Sequence, residues 1–172
     1  MRAIIASLAA LLFASACFRC RSPTLPEPPR EPIKDRLIVP GTRAGPISLG
    51  MIVSQLLEVM GQPTSGRTEL GVDLYEYGSG LTAGVKDGRV VSVSITDPTF
   101  QTEAGLKPGD LAINVRNFGG LPTRTVPAGP QATAYCWDKG LRVLTQGDLI
   151  QSIQVTKPWD ACDFRYLRRG LL

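Results

Sequence analysis

Residues 42–98 and 102–158 carry the same landmarks in the same order, and this duplication limits the folds open to the chain more than any other feature. Thr42-Arg-Ala44-Gly45 answers to Thr102-Glu-Ala104-Gly105, and Gly61-Gln-Pro63-Thr64 to Gly120-Leu-Pro122-Thr123. Tyr75-Glu-Tyr77 matches Tyr135-Cys-Trp137, and Gly80-Leu81 matches Gly140-Leu141. Ser92-Val-Ser-Ile-Thr96-Asp-Pro98 matches Ser152-Ile-Gln-Val-Thr156-Lys-Pro158. Two copies are too few for a solenoid, which generally needs about three or more, so the pattern reads as a tandem duplication.

The first copy holds the better-marked helix. Between residues 52 and 60 the apolar side chains fall at 52, 53, 56, 57 and 60, one face of a helical period. Gly61 can take the left-handed conformation that closes a last turn, and Pro63 forbids continuation. The second copy holds a weaker version, with Asp110 placed to cap it. Three strands follow in each copy; in the first they are Val72–Tyr77, Leu81–Lys86 and residues 90–95. Asp87-Gly88 tolerates the positive φ of a tight hairpin. Val91, Val93 and Ile95 alternate with Ser92 and Ser94, which marks a strand with one buried face. Ile153 and Val155 hold equivalent places, while Gln151 replaces Val91. A helix with one apolar stripe and a sheet with one apolar face cover each other. The expected fold class is α+β: two tandem units, 36–99 and 100–160, each a short helix packed on an antiparallel three-stranded sheet, followed by a C-terminal segment, 161–172.

The N-terminus reads as an address. Arg2 precedes an apolar run over residues 3–14 that is too short to span a bilayer. Ala14-Ser15-Ala16 supplies the small residues of a cleavage site, so residues 1–16 read as a signal peptide that takes no part in the fold. Ala14-Ser-Ala-Cys17 resembles the bacterial lipobox, which implies lipidation of Cys17; Ala14 stands where that motif usually has Leu, and plain secretion is the rival reading. Phe18 rather than Asp follows the cysteine, and the resemblance then implies the periplasmic side of the outer membrane. Residues 17–35 form a proline-rich linker, and a dozen such residues in extended form reach roughly 35–40 Å. Cys17 and Cys20 are spaced as C-x-x-C, but they sit at the foot of a signal peptide rather than in a folded site.

The pattern Leu49-Gly-Met51, helix, Gly61-x-Pro63, then Tyr75-x-Tyr77 resembles the SmpA/OmlA family of small outer-membrane-assembly lipoproteins. It is similar as well to the tandem units of β-lactamase inhibitory protein. Both resemblances imply an extracytoplasmic, non-enzymatic protein that binds other proteins. Ile52 stands where those helices often carry a Ser or Thr cap. A rival resemblance lies in Thr102-Glu-Ala-Gly-Leu-Lys-Pro-Gly-Asp110, which looks like a PDZ segment and implies a binder of peptide C-termini. The PDZ fold also needs a groove helix later in the chain, and Gly119-Gly-Leu-Pro-Thr-Arg-Thr-Val-Pro127 is poor helix material.

The remaining residues argue against several function classes. The chain has no histidine, which removes Ser-His and Cys-His nucleophile pairs and every imidazole metal site. No metal site, no cofactor and no enzymatic activity are expected. A net charge of +4 is spread without a basic stripe, so no nucleic-acid partner is expected. Asp87, Asp97, Glu103 and Asp110 read as turn formers and a cap. Cys136 and Cys162 are a candidate disulfide in an oxidising compartment, which would pin the C-terminal segment to the second sheet, with free buried thiols as the alternative. Tyr75, Tyr77, Tyr135 and Trp137 are candidate protein-binding residues, since partners often bury aromatic surface; core packing competes with that reading. The expectation is a lipid-anchored envelope protein acting as a protein-binding or assembly-scaffold module, with a PDZ-like peptide binder or a secreted inhibitor-like protein as alternatives.

Overall fold

The computed structural model describes residues 33–118, 120–158 and 160. Residues 1–32 and 161–172 lie outside that set. The signal peptide, Cys17, Cys20, most of the linker and Cys162 therefore lie outside the described residues.

Eight strands form one antiparallel sheet: β4 (Ser65–Glu69), β5 (Val72–Tyr77), β6 (Leu81–Lys86), β7 (Arg89–Ile95), β9 (Arg124–Gly129), β10 (Ala132–Trp137), β11 (Leu141–Gln146) and β12 (Leu149–Thr156). Their order is β4-β5-β6-β7-β12-β11-β10-β9. A smaller sheet contains β1 (Leu37–Val39), β2 (Arg43–Ala44), β3 (Ile47–Ser48) and β8 (Gln101–Thr102) in the order β3-β2-β1-β8. One α-helix, α1 (Val53–Met60), and one 3-10 helix, η1 (Ala112–Asn117), complete the described elements.

The fold expectation is thus corrected. The two copies are not two helix-on-sheet units, and the chain is mostly β. Each copy gives four strands to a shared sheet. Strand starts correspond at a near-constant offset: Ser65 to Arg124 is 59 residues, while Val72 to Ala132, Leu81 to Leu141 and Arg89 to Leu149 are each 60. The copies meet where β7 pairs antiparallel with β12, with Val93 opposite Val155 and Ile95 opposite Ile153. Moving each residue of one pair by 60 positions gives the other pair. The duplication is therefore an internal two-fold, and Ser94 opposite Gln154 lies on its axis. Joining the last strand of each copy pairs two edges that would otherwise present unpaired backbone groups.

Both copies repeat their backbone details. The Gly50 N–H donates to Val90 C=O at 2.7 Å and the Val90 N–H to Met51 C=O at 2.8 Å. In the second copy Gly109 donates to Ile150 C=O and Ile150 to Asp110 C=O, each at 2.8 Å. Bulges fall between Gly84 and Val85 and between Leu144 and Thr145, again 60 residues apart. The helix does not repeat. α1 is a true helix whose Ile52 offers no side-chain cap; the Gln55 Oε1 accepts from the Ile52 N–H at 3.3 Å instead. The Gly61 N–H closes it onto Leu57 C=O at 2.8 Å. Its counterpart is only η1, built from Ala-Ile-Asn-Val-Arg-Asn, where Ile, Val and Asn all disfavour an α-helix. Asp110 does not cap it; its carboxylate accepts from the Lys107 N–H at 3.1 Å and closes a turn.

The core lies on one face of the large sheet. Two cross-strand rows supply it: Tyr77-Leu81-Ile95-Ile153-Val143-Tyr135 and Tyr75-Ala83-Val93-Val155-Leu141-Trp137. Leu56 and Met60 of α1, Ile38, Ala44 and Ile47 of the small sheet, Phe100, Leu106, and Val115 of η1 belong to the same buried cluster. Each such large aliphatic or aromatic side chain, removed from water, contributes about 1.5–3 kcal/mol. Asp35 fastens the start of the small sheet. The Leu37 N–H and the Arg43 guanidinium, both donating to it, hold its carboxyl below the usual range.

Leu70 is out of keeping with its backbone. It sits at φ 52 in the Leu70-Gly71 hairpin turn, half-exposed at 53 %, in a conformation that suits Asn and Gly. Leu70→Asn is expected to stabilise the fold by about 0.5–1 kcal/mol, a rise of about 2–4 °C in Tm. An unchanged or lower Tm would show that Leu70 is held there by contacts worth more than the strain.

Candidate functional site

The side chains that alternate with the core rows point to the other face of the sheet. There the ladder register sets one row across all eight strands: Ser65-Glu76-Thr82-Ser94-Gln154-Arg142-Cys136-Arg124. Seven of the eight are polar, and the internal two-fold runs through the middle of the row. Ser92 and Ser152 add hydroxyls beside it.

This open face carries a trough. One part is an open depression of about 290 Å³, lined by Arg67, Leu74, Thr82, Gly84, Ser92, Ser94, Thr96, Leu144, Gln151, Ser152 and Gln154. A second part, about 90 Å³, adds Glu69, Leu70, Val72, Val91, Arg142, Thr156 and Asp160. The two share Leu74, Ser92 and Gln154, so they are continuous. The larger part comes close to the lower end of the size range of ligand sites, roughly 300–1,000 Å³, and the smaller falls below it.

Sequence builds the trough in two ways. Gly84 removes a side chain from its floor: a Cβ there would come within 2.3 Å of the Ser92 Oγ. The counterpart of Gly84 is Leu144, so the copies differ at this point and the trough is uneven across the two-fold. The bulges push Val91 and Gln151 out of register, and both end among the lining residues.

Its electrostatics centre on Arg142, only 6 % exposed, whose guanidinium donates to the Gln154 Oε1. A buried guanidinium needs such partners, because its charge is costly away from water. On the first-copy side Arg67 bridges Glu69, at 2.7 Å, and Glu76. These pairs are exposed and contribute little to stability. Hydroxyls and amides both donate and accept, so the middle of the row can match the backbone polar groups of an extended chain.

The four aromatic candidates lie elsewhere. Tyr75, Tyr77, Tyr135 and Trp137 stand at the ends of the two inner rows, related in pairs by the two-fold. Tyr77 and Trp137 are buried, and Tyr75 and Tyr135 are half-buried against the core. The Trp137 Nε1–H donates to the Gly120 C=O at 3.2 Å, and the Phe118 ring meets the indole edge-on at 5.5 Å. They stand at the flanks of the core, with Tyr75 and Tyr135 partly open to solvent. Cys136, next to Trp137 in the chain, points to the open face and is fully buried.

The acidic turn residues act as expected of turn formers: the Asp97 Oδ1 accepts from the Thr99 N–H at 2.8 Å, and Asp87 takes positive φ. Residues 124–129 form the edge strand β9 rather than the groove helix of a PDZ reading. Among the described residues no cluster of His, Cys, Asp and Glu could hold a metal ion, and no helix is long and apolar enough to cross a membrane. Sequence reasoning missed the trough. Its signal was present in Ser92, Ser94, Ser152 and Gln154, the polar half of the alternation.

No protein-family model and no curated protein matches the chain. Among solved structures it is similar to the uncharacterized protein yfeY from Escherichia coli, with a TM-score of 0.51 and 11% identity over 69% of this chain and 99% of that one. It is also similar to an extracellular protein containing a SCP domain from Bacillus anthracis, with a TM-score of 0.49 and 11% identity over 72% of this chain and 50% of that one. A DUF4309 family protein (YjgB) from Bacillus subtilis gives a TM-score of 0.49 and 14% identity over 68% of this chain and 88% of that one. The chain spans half the length of the Bacillus anthracis protein. The likeness to yfeY is one of fold.

Proposed function

We propose that the protein is a non-enzymatic, lipid-anchored binding module of the cell envelope, held by Cys17 on the periplasmic side of the outer membrane, and that it takes an extended segment of a protein partner in the trough of the open sheet face. The trough carries this reading. It sets hydroxyls and amides among apolar side chains such as Leu74 and Leu144, and the buried core lies on the opposite face of its sheet. The signal-peptide pattern, the Ala14-Ser-Ala-Cys17 sequence and the proline-rich linker support the address. The resemblance to SmpA/OmlA proteins supports the role as an assembly or binding factor, although the two-unit build it implied does not hold here.

One experiment in intact cells tests both halves. A photo-crosslinking residue replaces Ser94 in the trough or, as a control, Leu121, which is 87 % exposed and does not line the trough. Discrete partner adducts are expected from position 94 and not from position 121; equal adducts, or adducts at 121 alone, would refute the open face as the binding surface. In the same cells a clickable fatty acid should label the protein and leave Cys17→Ser unlabelled. Persisting label would remove the anchor.

A further inference from the structure

The first strand of each copy lies at an edge of the large sheet, and the two edges are built differently. β4 and β9 each have one neighbour, β5 and β10. On the β9 edge Pro127 stands in the ladder opposite Thr133. A proline has no N–H to give β10, so its nitrogen faces outward, where a further strand would need a donor. The ladder also skips Ala128, an irregularity of the kind that protects an edge from pairing. β4 has neither device, and its Ser65, Gly66, Arg67 and Thr68 are all exposed. Leu70-Gly71, both at positive φ, make a two-residue turn, and the pair flanking such a turn, Glu69 and Val72, is hydrogen-bonded. Bonded and non-bonded pairs alternate from there, so Arg67 and Ser65 also turn their N–H and C=O to β5, while Gly66 and Thr68 turn theirs outward. Among the described residues none bonds those outward groups.

The charges on β4 decide which strand fits there. Parity puts Arg67 and Glu69 on the open face, where they already bridge at 2.7 Å. A second β4, running antiparallel, must meet the first through Gly66 or Thr68, which leaves three registers. Gly66 opposite Thr68 sets Arg67 against Arg67, and like charges directly opposite repel. Gly66 opposite Gly66 sets Arg67 against Ser65 and leaves the charges unused. Thr68 opposite Thr68 sets each Arg67 against the other strand's Glu69. Two Arg and two Glu then form a square with unlike charges along every side. The same charges that guard the edge against an unrelated strand thus fit a second copy of it.

We propose that the protein forms a two-fold dimer through β4, with Thr68 opposite the partner's Thr68, so that two large sheets join into one. The axis stands perpendicular to the sheet, and both open faces therefore lie on the same side. Arg67 and Glu69 line the trough, so the two troughs meet at the seam. A strand of five residues buries well under the roughly 1,000 Å² of a lasting interface, which makes the association a transient one. The inference goes beyond the binding reading and stands without it.

The test uses the mature chain from residue 17 onward with Cys17→Ser, so that no lipid holds two copies together. Sedimentation equilibrium up to about 1 mM protein should show a reversible monomer–dimer equilibrium; a monomer throughout would overturn the dimer. Arg67→Glu and Glu69→Arg each set like charges opposite and should raise the dissociation constant by about tenfold or more. The double variant restores every pair and should return to within about threefold of the starting value. The two single variants, mixed, should bind each other more tightly than either binds itself. Unchanged association in the single variants, or a loss that the double variant does not recover, would overturn the register. Thr68→Cys sets two sulfurs across the axis, where bonded partners have Cα atoms about 5.5 Å apart, within the roughly 4.4–6.8 Å that a disulfide needs. Mild oxidation should give a reducible dimer of Thr68→Cys, beyond the background of the natural chain, and none of Thr125→Cys on the β9 edge. Equal dimer from both would overturn the choice of edge. In whole cells, a Thr68→Cys adduct with another protein alone would overturn the second copy as the occupant.

Discussion

Gly140→Ala is expected to destabilise the protein by about 3–5 kcal/mol, lowering Tm by about 8–15 °C. Gly140 stands at φ +85 in the turn between β10 and β11. A Cβ there would lie 2.3 Å from the Thr156 carbonyl oxygen and 2.7 Å from the Gly41 Cα. Both are backbone atoms, so no rotamer change relieves the overlap. The crowding has a purpose: the Gly140 C=O accepts from the Thr156 N–H at 3.0 Å and from the Gly41 N–H at 3.3 Å. One carbonyl thereby joins β11's turn, the end of β12 and the loop after β1. Gly147→Ala is the control, since Gly147 has φ +58 but open space around it. It should cost only about 1 kcal/mol, the backbone strain alone. Thermal denaturation of both variants decides the matter, and equal losses would mean that the close approach carries no weight.

The second large effect lies at the seam between the copies. Ile95 and Ile153 are opposite each other in the β7–β12 ladder and both are fully buried. Ile95→Ala and Ile153→Ala should each cost about 2–4 kcal/mol, the lost transfer energy plus the cavity left behind. Because the two side chains share one cavity wall, the double variant should depart from additivity by about 0.5 kcal/mol or more. Chemical denaturation of the wild type, both single variants and the double variant closes the cycle. Strict additivity would indicate that the copies do not share a core at this place.

Much of the local structure was legible in the sequence. α1 was marked by its apolar stripe and by the Gly61 and Pro63 stop, and the structure places it within a residue of the expected span. β5 and β6 fall at their expected bounds, and Asp87-Gly88 makes the expected hairpin, because alternation and turn chemistry are both local signals. β4 was not legible: Ser-Gly-Arg-Thr-Glu has no apolar residue and becomes a strand only by pairing with β5. β9 was hidden by Pro127, which an edge strand tolerates. The joining of β7 to β12 was out of reach for a different reason. Alternation in Val93, Ile95, Ile153 and Val155 tells which face is buried, but not which strand lies alongside. The same limit explains the aromatic residues. Parity placed Tyr75 with Tyr77 on one face; only the register shows that this face is the inner one, and that the trough lies opposite.

The central claim is that the two copies fold as one sheet and one cooperative unit, not as two. Native-state hydrogen exchange with increasing denaturant measures this directly. The slowest amides of β5–β7 and of β10–β12 should open with the same free energy and the same denaturant dependence, as strands of one sheet released by a single unfolding event. Two separate sets, one for each copy, with different opening free energies, would contradict it.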